Sequence, residues 1–376
     1  MRRGNSLQVY YHDRLVGTLA MTADYKAAFQ YSKSWLEKGF SINPFSLPLK
    51  NQVFVPTKEH FQGLFGVFAD SLPDHWGQLL LKRLLQSHKL NPDELTVLDR
   101  LAIVGKSGMG ALTYQPEKEF PKQREGLDLD ELAKQCRRIL NTEYSDKLDE
   151  LYRLGGTSGG ARPKIMTSIN GEQWIIKFPA HVDGENAGKM EYDYSCCARK
   201  CGIVMSETKL FPSKTCEGYF GTKRFDRISD SQGEKRIHML TAAALLELDF
   251  EQPSLDYHGL MKLTKILTGD NEEDMENMFR RMCFNVFAHN RDDHSKNFTY
   301  LYDETNDNWR LSPAYDLTYS NTYYGEHTTA VDGNGRNPGR KELLAVGMTA
   351  GIEKEKCVKM IDMIEVNVNE MLAEYL

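Results

Sequence analysis

Long hydrophobic segments are absent from this sequence of 376 residues, in which no apolar run approaches the ~18 residues that a membrane span requires. Arg2 and Arg3 stand near the start, but the apolar segment of a signal peptide does not follow them. We therefore expect a protein without membrane association and with a cytoplasmic location.

An excess of positive charge and a paired cysteine pattern are also missing. The 47 Lys and Arg residues are outnumbered by 53 Asp and Glu residues, which gives a net charge of -6. This balance argues against a protein that coats nucleic acid by bulk charge. The seven cysteines are odd in number and lack the spacing of a disulfide framework, so we expect reduced thiols.

The first 115 residues have the pattern of a small α+β unit. Residues 7–11 and 14–20 alternate in polarity around a short turn, which predicts a β-hairpin. A helix is expected to begin near Pro73, because proline suits the first helical position and apolar residues follow at core spacing.

The rest of the chain divides into a charged stretch and a larger unit. Residues 116–150 are rich in charge and contain one plausible helix from about Leu129 to Leu140, so we interpret them as a connector over the surface. Residues 151–376 run from a Gly-rich loop through strands to helices, and end in an amphipathic helix, roughly Glu353 to Tyr375.

A polar cluster at residues 290–298 carries the most specific signal. It reads Asn-Arg-Asp-Asp-His-Ser-Lys-Asn-Phe, so that Arg291-Asp292 is followed after four residues by Asn297. This is the spacing of a protein-kinase catalytic loop, and Asp316 stands a short hairpin further on, where a kinase has its metal-binding Asp. The pattern predicts that Asp292 accepts the proton of an attacking hydroxyl, and that Asn297 and Asp316 hold Mg²⁺.

The same cluster has a competing interpretation as the site of a metal-dependent phosphohydrolase. His289, Asp292, Asp293 and His294 are all possible metal ligands within six residues. That interpretation leaves Asn297 and Asp316 without a function, so we favour the kinase. In the kinase interpretation Asp293 is a bystander, and its exchange for Asn should leave most activity intact.

Glycines at residues 155–160 precede two predicted strands. Glycine lets the backbone approach a phosphate closely with its N–H groups as donors, although a flexible turn would look similar. Lys177 lies in an otherwise apolar strand, where it would either reach the α- and β-phosphates of a nucleotide or point to solvent from an edge. Residues 223–227 end a later strand, either where a kinase backbone meets adenine or as an ordinary solvated strand end.

At this point the sequence resembles the HipA toxin kinase family over nearly its whole length. The amino-terminal unit matches through Phe45-Ser-Leu-Pro-Leu, through Phe68-Ala-Asp-Ser-Leu-Pro-Asp and through residues 105–113. Five further segments match the family signature in order: 160–164 (Gly-Ala-Arg-Pro-Lys), 175–179 (Ile-Ile-Lys-Phe-Pro), 224–227 (Arg-Phe-Asp-Arg), 292–298 (Asp-Asp-His-Ser-Lys-Asn-Phe) and 312–317 (Ser-Pro-Ala-Tyr-Asp-Leu).

The resemblance implies a serine/threonine protein kinase that uses ATP and Mg²⁺, with Asp292 as the catalytic base and Asn297 and Asp316 as metal ligands. It also implies an autophosphorylated hydroxyl in the Gly-rich loop, at Thr157 or Ser158, whose modification shuts the kinase off. The expected ATP-binding residues are Gly156, Thr157, Ser158, Gly159, Gly160, Lys164, Lys177, Lys223, Phe225, His294 and Lys296.

The family further implies two kinds of protein partner. One is a HipB-like helix-turn-helix antitoxin, through which such a toxin reaches DNA. The other is a protein substrate, and aminoacyl-tRNA synthetases are among the targets in the family. We expect an α+β, bilobed, protein-kinase-like fold with an N-terminal α/β subdomain (1–115), a connector (116–150) and a kinase region (151–376) with a mostly helical C-terminal lobe. A catalytically silent scaffold that binds antitoxin and DNA is the remaining alternative.

Overall fold

The computed structural model describes residues 6–118, 128–157, 159–180, 183–230, 233–322 and 324–376. The chain forms two compact units. Unit 1 comprises Met1–Asn186, Phe211–Leu240 and Ala244–Glu247, and unit 2 comprises Ala187–Leu210, Thr241–Ala243 and Leu248–Leu376.

Unit 1 begins with strands whose side chains alternate between buried and exposed. Its strands are β1 (Ser6–Tyr11), β2 (Arg14–Met21), β3 (Ala27–Tyr31), β4 (Val53–Phe54), β5 (Leu112–Gln115), β6 (Lys164–Ile169), β7 (Glu172–Lys177), β9 (Tyr219–Lys223), β10 (Arg227–Asp230) and β11 (Gly233–Arg236). Its helices are α1 (Lys33–Lys38), α2 (Gly66–Ala69), α3 (His75–Ser87), α4 (Val97–Val104), α5 (Leu129–Leu140) and α6 (Leu148–Gly155). Strands β8 (Thr208–Phe211) and β12 (Met239–Thr241) and helix α8 (Ala242–Leu246) lie where the chain passes between the units.

The amino-terminal sheet has the strand order β4-β3-β2-β1-β5, and its described pairs are antiparallel. In β1 the side chains of Leu7, Val9 and Tyr11 are buried on one face. This period of two is what the sequence pattern of the hairpin predicted. Helix α4 begins at Thr96, where Thr96 and Asp99 form a capping box, and it ends before Gly105 at a φ of 50°.

A second sheet places β7 between β6 and β9. The buried face of β7, with Trp174 and Ile176, packs in one hydrophobic cluster with the apolar sides of three helices. Those helices contribute Trp76, Leu80 and Leu84 from α3, Leu132, Cys136 and Ile139 from α5, and Leu151, Tyr152 and Leu154 from α6.

The predicted connector therefore behaves differently from the expectation. Helix α5 spans Leu129–Leu140 as the sequence suggested, but it is part of the core of unit 1 and does not run over the surface. Its apolar stripe needs a partner surface, and α6 and the second sheet provide it. Helix α6 also includes Gly155, so the Gly-rich loop begins one residue later in the structure than in the sequence prediction.

Unit 2 is mostly helical. Its helices are α7 (Ala187–Lys200), α9 (Tyr257–Thr268), α10 (Glu272–Phe287), α11 (Arg340–Thr349) and α12 (Lys354–Met371), and its strands β13 (Thr299–Asp303) and β14 (Asn308–Leu311) form an antiparallel hairpin. In the part of the chain described, no helix is both long and apolar enough to cross a bilayer.

A buried ion cluster fixes the end of β9 in unit 1. Asp226 is fully buried and accepts hydrogen bonds from Arg224 (Nη2, 2.8 Å) and Arg227 (Nη1, 2.6 Å) and from the backbone N–H of Gly110 (2.8 Å). Arg227 in turn donates to the carbonyl oxygens of Gly108 and Gly110. The cluster thereby ties the turn after α4 to the segment that follows β9.

The charges of this cluster make the stability of the fold depend on pH. Burial by itself raises the pKa of Asp226, but the two guanidinium groups and the hydrogen bonds outweigh it, so the pKa lies well below its ordinary value. A carboxyl group whose pKa is lowered by folding stabilises the fold above its unfolded pKa of about 3.9, and that stability disappears as the pH falls through the folded pKa.

We predict that Asp226→Asn lowers the free energy of unfolding at pH 7 by about 3–5 kcal/mol, because it leaves two buried guanidinium groups without their counter-charge. The variant should also lose less stability than the native protein between about pH 4 and pH 2. Denaturant unfolding at a series of pH values measures both effects, with Asp13→Asn in an exposed turn as the control. Parallel pH profiles for the native protein and Asp226→Asn would contradict the prediction.

Candidate functional site

The predicted catalytic loop follows the carboxyl end of α10 in unit 2. Asp292 is exposed, with 59% of its side chain accessible. The side-chain amide of Asn297 donates from Nδ2 to the backbone carbonyl of Asp292 at 2.7 Å. This bond uses the amide nitrogen of Asn297, and its Oδ1 is the atom of the amide that could serve as a metal ligand.

Asp316 follows β14 in a left-handed backbone conformation, with a φ of 53°. A non-glycine residue rarely adopts this conformation, and such strain is typical of functional positions. The neighbouring Tyr315 hydroxyl lies 2.6 Å from the carbonyl oxygen of Lys296 and 2.5 Å from Oγ1 of Thr299. These bonds hold the segment of Asp316 against the catalytic loop that contains Asn297.

Asp293 is the buried partner of the exposed Asp292. Its carboxylate accepts hydrogen bonds from the Tyr257 hydroxyl (2.9 Å) and the backbone N–H of Thr329 (3.0 Å), and Nδ1 of His327 lies 3.0 Å away. Its backbone carbonyl accepts from the hydroxyl of Thr329. Tyr257 accepts in turn from Asn285 of α10. The expectation that Asp293 is a bystander is therefore wrong, because this carboxylate anchors the loop.

Arg291 attaches the other side of the loop to the segment after Asp316. Its Nη1 donates to Oδ1 of Asn321 at 2.7 Å, and its carbonyl oxygen accepts from both the N–H and the hydroxyl of Thr328. The backbone N–H of Arg291 also donates to the carbonyl of Ser320. The catalytic loop is thus bonded along its length to residues 320–329, and the exposed side chain of Asp292 stands out from a fixed backbone.

His294 and Lys296 both lie close to the Phe250 ring. The imidazole centroid of His294 is 5.6 Å from that ring, and the ammonium of Lys296 is 4.5 Å from the ring centroid. The Nδ1 atom of His294 is buried and has no hydrogen-bond partner among the described residues. A bound group with a hydrogen-bonding atom would satisfy it, which fits the predicted nucleotide contact.

The geometry disfavours the metal-dependent hydrolase. Asp293 is fully buried and its carboxylate is occupied by three donors, so it does not face a metal together with Asp292. Within the described ranges of the chain, no three His, Cys, Asp or Glu side chains form a cluster that could hold a metal ion. A pair of one Asn and one Asp is a different kind of site, and Mg²⁺ is commonly bound by one or two protein ligands together with substrate phosphates and water.

The Gly-rich loop lies in unit 1, and contacts with backbone atoms hold it in place. Gly156 is buried at the end of α6, and Gly159 is exposed. The hydroxyl of Thr157 is buried and donates to the carbonyl of Ser107 at 2.9 Å. Gly160 has a φ of 84°, in the region that favours glycine. Ser158, for which we expected nucleotide contact or autophosphorylation, lies outside the described residues.

Two lysines stand side by side behind this loop. Lys164 and Lys177 are directly opposite one another in the antiparallel pair of β6 and β7, so both side chains lie on the same face of the sheet. Lys164 is buried and donates to the carbonyl of Gly159 at 2.6 Å, and Lys177 lies 5.6 Å from the Phe220 ring. Two cationic side chains on one face of a sheet attract anions, so this face suits phosphate.

Lys223 is not brought together with these two lysines. It lies opposite Trp174 in the sheet, and therefore on the other face from Lys177. Its ammonium group is engaged by the carboxylate of Glu172. Phe225 is half-buried just beyond β9, next to the Asp226 cluster. The contact of residues 223–227 with adenine remains a prediction. For Lys223 the predicted contact is made by backbone atoms.

Sequence reasoning missed the residues that support the site. The connection of Asp293 to His327 and Thr329 spans more than thirty positions of the chain, as the separations of 34 and 36 show. The only sequence signal for this connection is the adjacent pair Asp292 and Asp293, because two neighbouring carboxylates on one loop point in different directions. The Asp226 cluster was visible as the motif Arg-Phe-Asp-Arg, but its bonds to Gly108 and Gly110 were not.

Comparison with known proteins identifies the fold. A chain of the Shewanella oneidensis MR-1 toxin–antitoxin complex of HipA, HipB and operator DNA matches over 98% of this chain and 90% of its own length, with a TM-score of 0.73 and 17% identity. The Helicobacter pylori kinase CtkA matches 56% of this chain and 89% of its own length at 14% identity, with a TM-score of only 0.38. Among curated proteins, the putative kinase Y4mE of Sinorhizobium fredii is 24% identical over 84% of this chain and 78% of its own.

The fold and the catalytic loop define a protein kinase with mixed α/β structure, which confirms the predicted fold class and enzyme class. Family models agree, because the HipA N-terminal domain matches residues 7–115 and the HipA-like C-terminal domain matches residues 156–372. This chain belongs to the HipA family, as its motifs predicted. The three-part division at residues 115 and 150 stays a prediction.

We predict that Asp293→Ala destabilises the protein by about 3 kcal/mol or more, because Tyr257, His327 and the N–H of Thr329 lose a buried acceptor. Asp293→Asn keeps one acceptor and should destabilise it less, but it should still lower kcat for phosphate transfer at least about tenfold through displacement of the loop. Thermal unfolding and steady-state kinetics measure the two effects. Asp303→Asn, which alters a carboxylate in another turn of unit 2, is the matched control. Native stability and kinetics in Asp293→Asn would contradict this role.

Proposed function

We propose that the chain is an ATP- and Mg²⁺-dependent serine/threonine protein kinase of the HipA toxin type. The observation that carries the proposal is the catalytic loop. It presents Asp292 to solvent on a backbone that Asp293 and Arg291 fasten, and the amide nitrogen of Asn297 donates to that backbone. Phosphoryl transfer asks the protein for positioning and charge more than for covalent chemistry, and such a loop offers both.

Each residue of the loop then has a defined task. The carboxylate of Asp292 accepts the proton of the substrate hydroxyl. The oxygens of Asn297 and Asp316 would hold Mg²⁺, which neutralises charge on the phosphates when it is bound. The orphaned Nδ1 of His294 and the ammonium of Lys296 are suitable donors for the nucleotide.

In unit 1, we assign phosphate binding to Lys164, Lys177 and the Gly-rich loop. The direct opposition of the two lysines supports this assignment, because two ammonium groups on one face of a sheet attract a polyphosphate. The backbone N–H of Gly159 would add a donor at close range, whereas the N–H groups of Gly156 and Gly160 already donate to Tyr152 and Asp74, so these two glycines would contribute a close backbone approach only.

Autophosphorylation of the Gly-rich loop is part of the proposal. The hydroxyl of Thr157 is buried and donates to the carbonyl of Ser107, so its phosphorylation requires that this bond breaks first. A phosphate of about -1.5 to -2 charge would then face a carbonyl oxygen and could not return to the same place. The modified loop would repel the phosphates of ATP, which is a physical reason for self-inhibition.

The proposed partners are a protein substrate and a HipB-like helix-turn-helix antitoxin. The structural relative comes from a complex of HipA, HipB and operator DNA, and the net charge of -6 suits a chain that reaches DNA through its partner. We expect a mobility-shift assay to show retarded operator DNA with the antitoxin and this chain together, and no shift with this chain alone at physiological salt. Binding of DNA by the chain alone would contradict this arrangement.

We predict that incubation with Mg-ATP adds phosphate to the native protein, and that Asp292→Asn abolishes this transfer while ATP still binds. Intact-mass spectrometry measures the transfer, and peptide mapping identifies Thr157 or Ser158. Asp13→Asn, an exposed aspartate far along the chain from the motifs, should behave as the native protein does. Transfer by Asp292→Asn at more than about a hundredth of the native rate would exclude Asp292 as the base.

We predict that Asp316→Ala loses the Mg²⁺-dependent part of nucleotide affinity, because the amide of Asn297 alone is a weak ligand for a hard cation. Calorimetric titration with ATP, with and without Mg²⁺, measures this part directly. The native protein should bind ATP more tightly with Mg²⁺, and the variant should show little difference. An unchanged gain from Mg²⁺ in Asp316→Ala would count against the metal site.

A further inference from the structure

Helix α3 in unit 1 begins with an aspartate that does not cap its own helix. Asp74 occupies the N-cap position, where an Asp side chain normally accepts a hydrogen bond from the first turn. The carboxylate of Asp74 makes no such bond. Its Oδ2 atom accepts instead from the backbone N–H of Gly160 in the Gly-rich loop, at 2.8 Å.

The Gly-rich loop in turn supplies a hydrogen-bond acceptor for the first turn of α3. The backbone N–H of Trp76, in the first turn of α3, donates to the carbonyl oxygen of Gly160 at 3.3 Å. Helix and loop therefore exchange two hydrogen bonds in the manner of a capping box, with a residue 86 positions away as the partner. The indole of Trp76 also donates to the carbonyl of Lys164, so the same helical turn holds both ends of residues 160–164.

Packing around this exchange leaves no room for displacement. A Cβ atom on Gly77 of α3 would lie 2.5 Å from the carbonyl oxygen of Gly156, and a Cβ on Gly160 would lie 2.6 Å from Nζ of Lys164. The helix backbone thus touches the loop directly. The bond from Thr157 to Ser107 ties the loop to the turn after α4 as well. Both attachments come from the first 115 residues of the chain.

We infer that Asp74 is a positioning residue for nucleotide binding, which makes the amino-terminal region a working part of the ATP site. The inference rests on the proposed function for the role of the loop, but the hydrogen-bond exchange stands independently of it. Both the N–H and the C=O of Gly160 are hydrogen-bonded to α3. Gly160 therefore holds the neighbouring Gly159 and Lys164 in one arrangement. The loop is then ordered before ATP binds, so ATP binding does not include the entropy cost of ordering it.

The test compares three variants with the native protein. Asp74→Ala removes the acceptor of the Gly160 N–H, whereas Asp74→Asn keeps an amide oxygen in its place. Asp128→Ala is the matched control, because Asp128 caps α5 of the same unit by bonds to its own first turn. It removes a helix-capping carboxylate without touching the loop.

Two readouts separate positioning from mere stability. We expect Asp74→Ala to raise the KM for ATP about tenfold with kcat changed less than about twofold, and Asp74→Asn to stay within about threefold of the native KM. Hydrogen exchange without nucleotide should become faster at Gly160 in Asp74→Ala only. Asp128→Ala should lower the thermal unfolding temperature and leave both the KM and this exchange unchanged.

The outcomes distinguish this inference from the proposed function. An unchanged KM and unchanged exchange at Gly160 in Asp74→Ala would overturn the inference while the kinase remains. A native protein that neither binds nor consumes ATP would overturn the proposed function, and faster exchange at Gly160 in Asp74→Ala would still support the attachment of the loop. A similar rise in the KM of Asp128→Ala would show a general effect of lost stability and would overturn the specific role of Asp74.

Discussion

A carboxylate removed from water must find hydrogen-bond donors, and the loops of this protein are arranged by that requirement. Burying an ionised group costs several kcal/mol unless donors or counter-charges replace its hydration. Asp226 and Asp293 are both fully buried, and each meets the requirement with donors from distant segments. Asp226 thereby fastens the turn after α4 to the end of β9, and Asp293 fastens the catalytic loop to residues 327–329. Because an aspartate side chain is short, its donors must lie close to its own backbone, which suits a site whose chemistry depends on position.

Local patterns in the sequence were enough to find most elements and the reacting groups. The hairpin of β1 and β2 follows from alternation, and the bounds of α5 follow from its apolar period and its capping Asp128. The spacing from Asp292 to Asn297 is a property of one loop, so it is visible without a structure. What could not be predicted is the identity of long-range partners. The donors to Asp226 and Asp74 include N–H groups 116 and 86 residues away, and a backbone N–H carries no sequence signal at all.

Local signals and packing together set the helix boundaries in unit 1. Asn91 is followed only by a short 3₁₀ turn, and α4 starts after Thr96, where Thr96 and Asp99 form a reciprocal capping box. Gly155 was assigned to a phosphate loop but continues α6, since the carbonyl of Lys164 packs where its side chain would be. Glycine is the only residue that fits so close to another backbone. A glycine in the sequence can therefore indicate either a phosphate-binding loop or the close packing of two backbone segments. In the same way α5 showed its apolar stripe, but only the folded unit shows that α3 and α6 share its core.

The proposed nucleotide site depends on the same electrostatic requirement, but its charges are positive and its ligand is negative. Lys164 and Lys177 are placed in direct opposition on one sheet face, and the carbonyl of Gly159 accepts a hydrogen bond from Lys164. A polyphosphate supplies full negative charge, so its binding energy is greatest where the fold has already assembled the cations. The cost of holding two like charges together is then met by folding and not by binding. For that reason the attachment of the Gly-rich loop to α3 and the lysine pair on β6 and β7 are best understood as one preorganised part of the proposed nucleotide site.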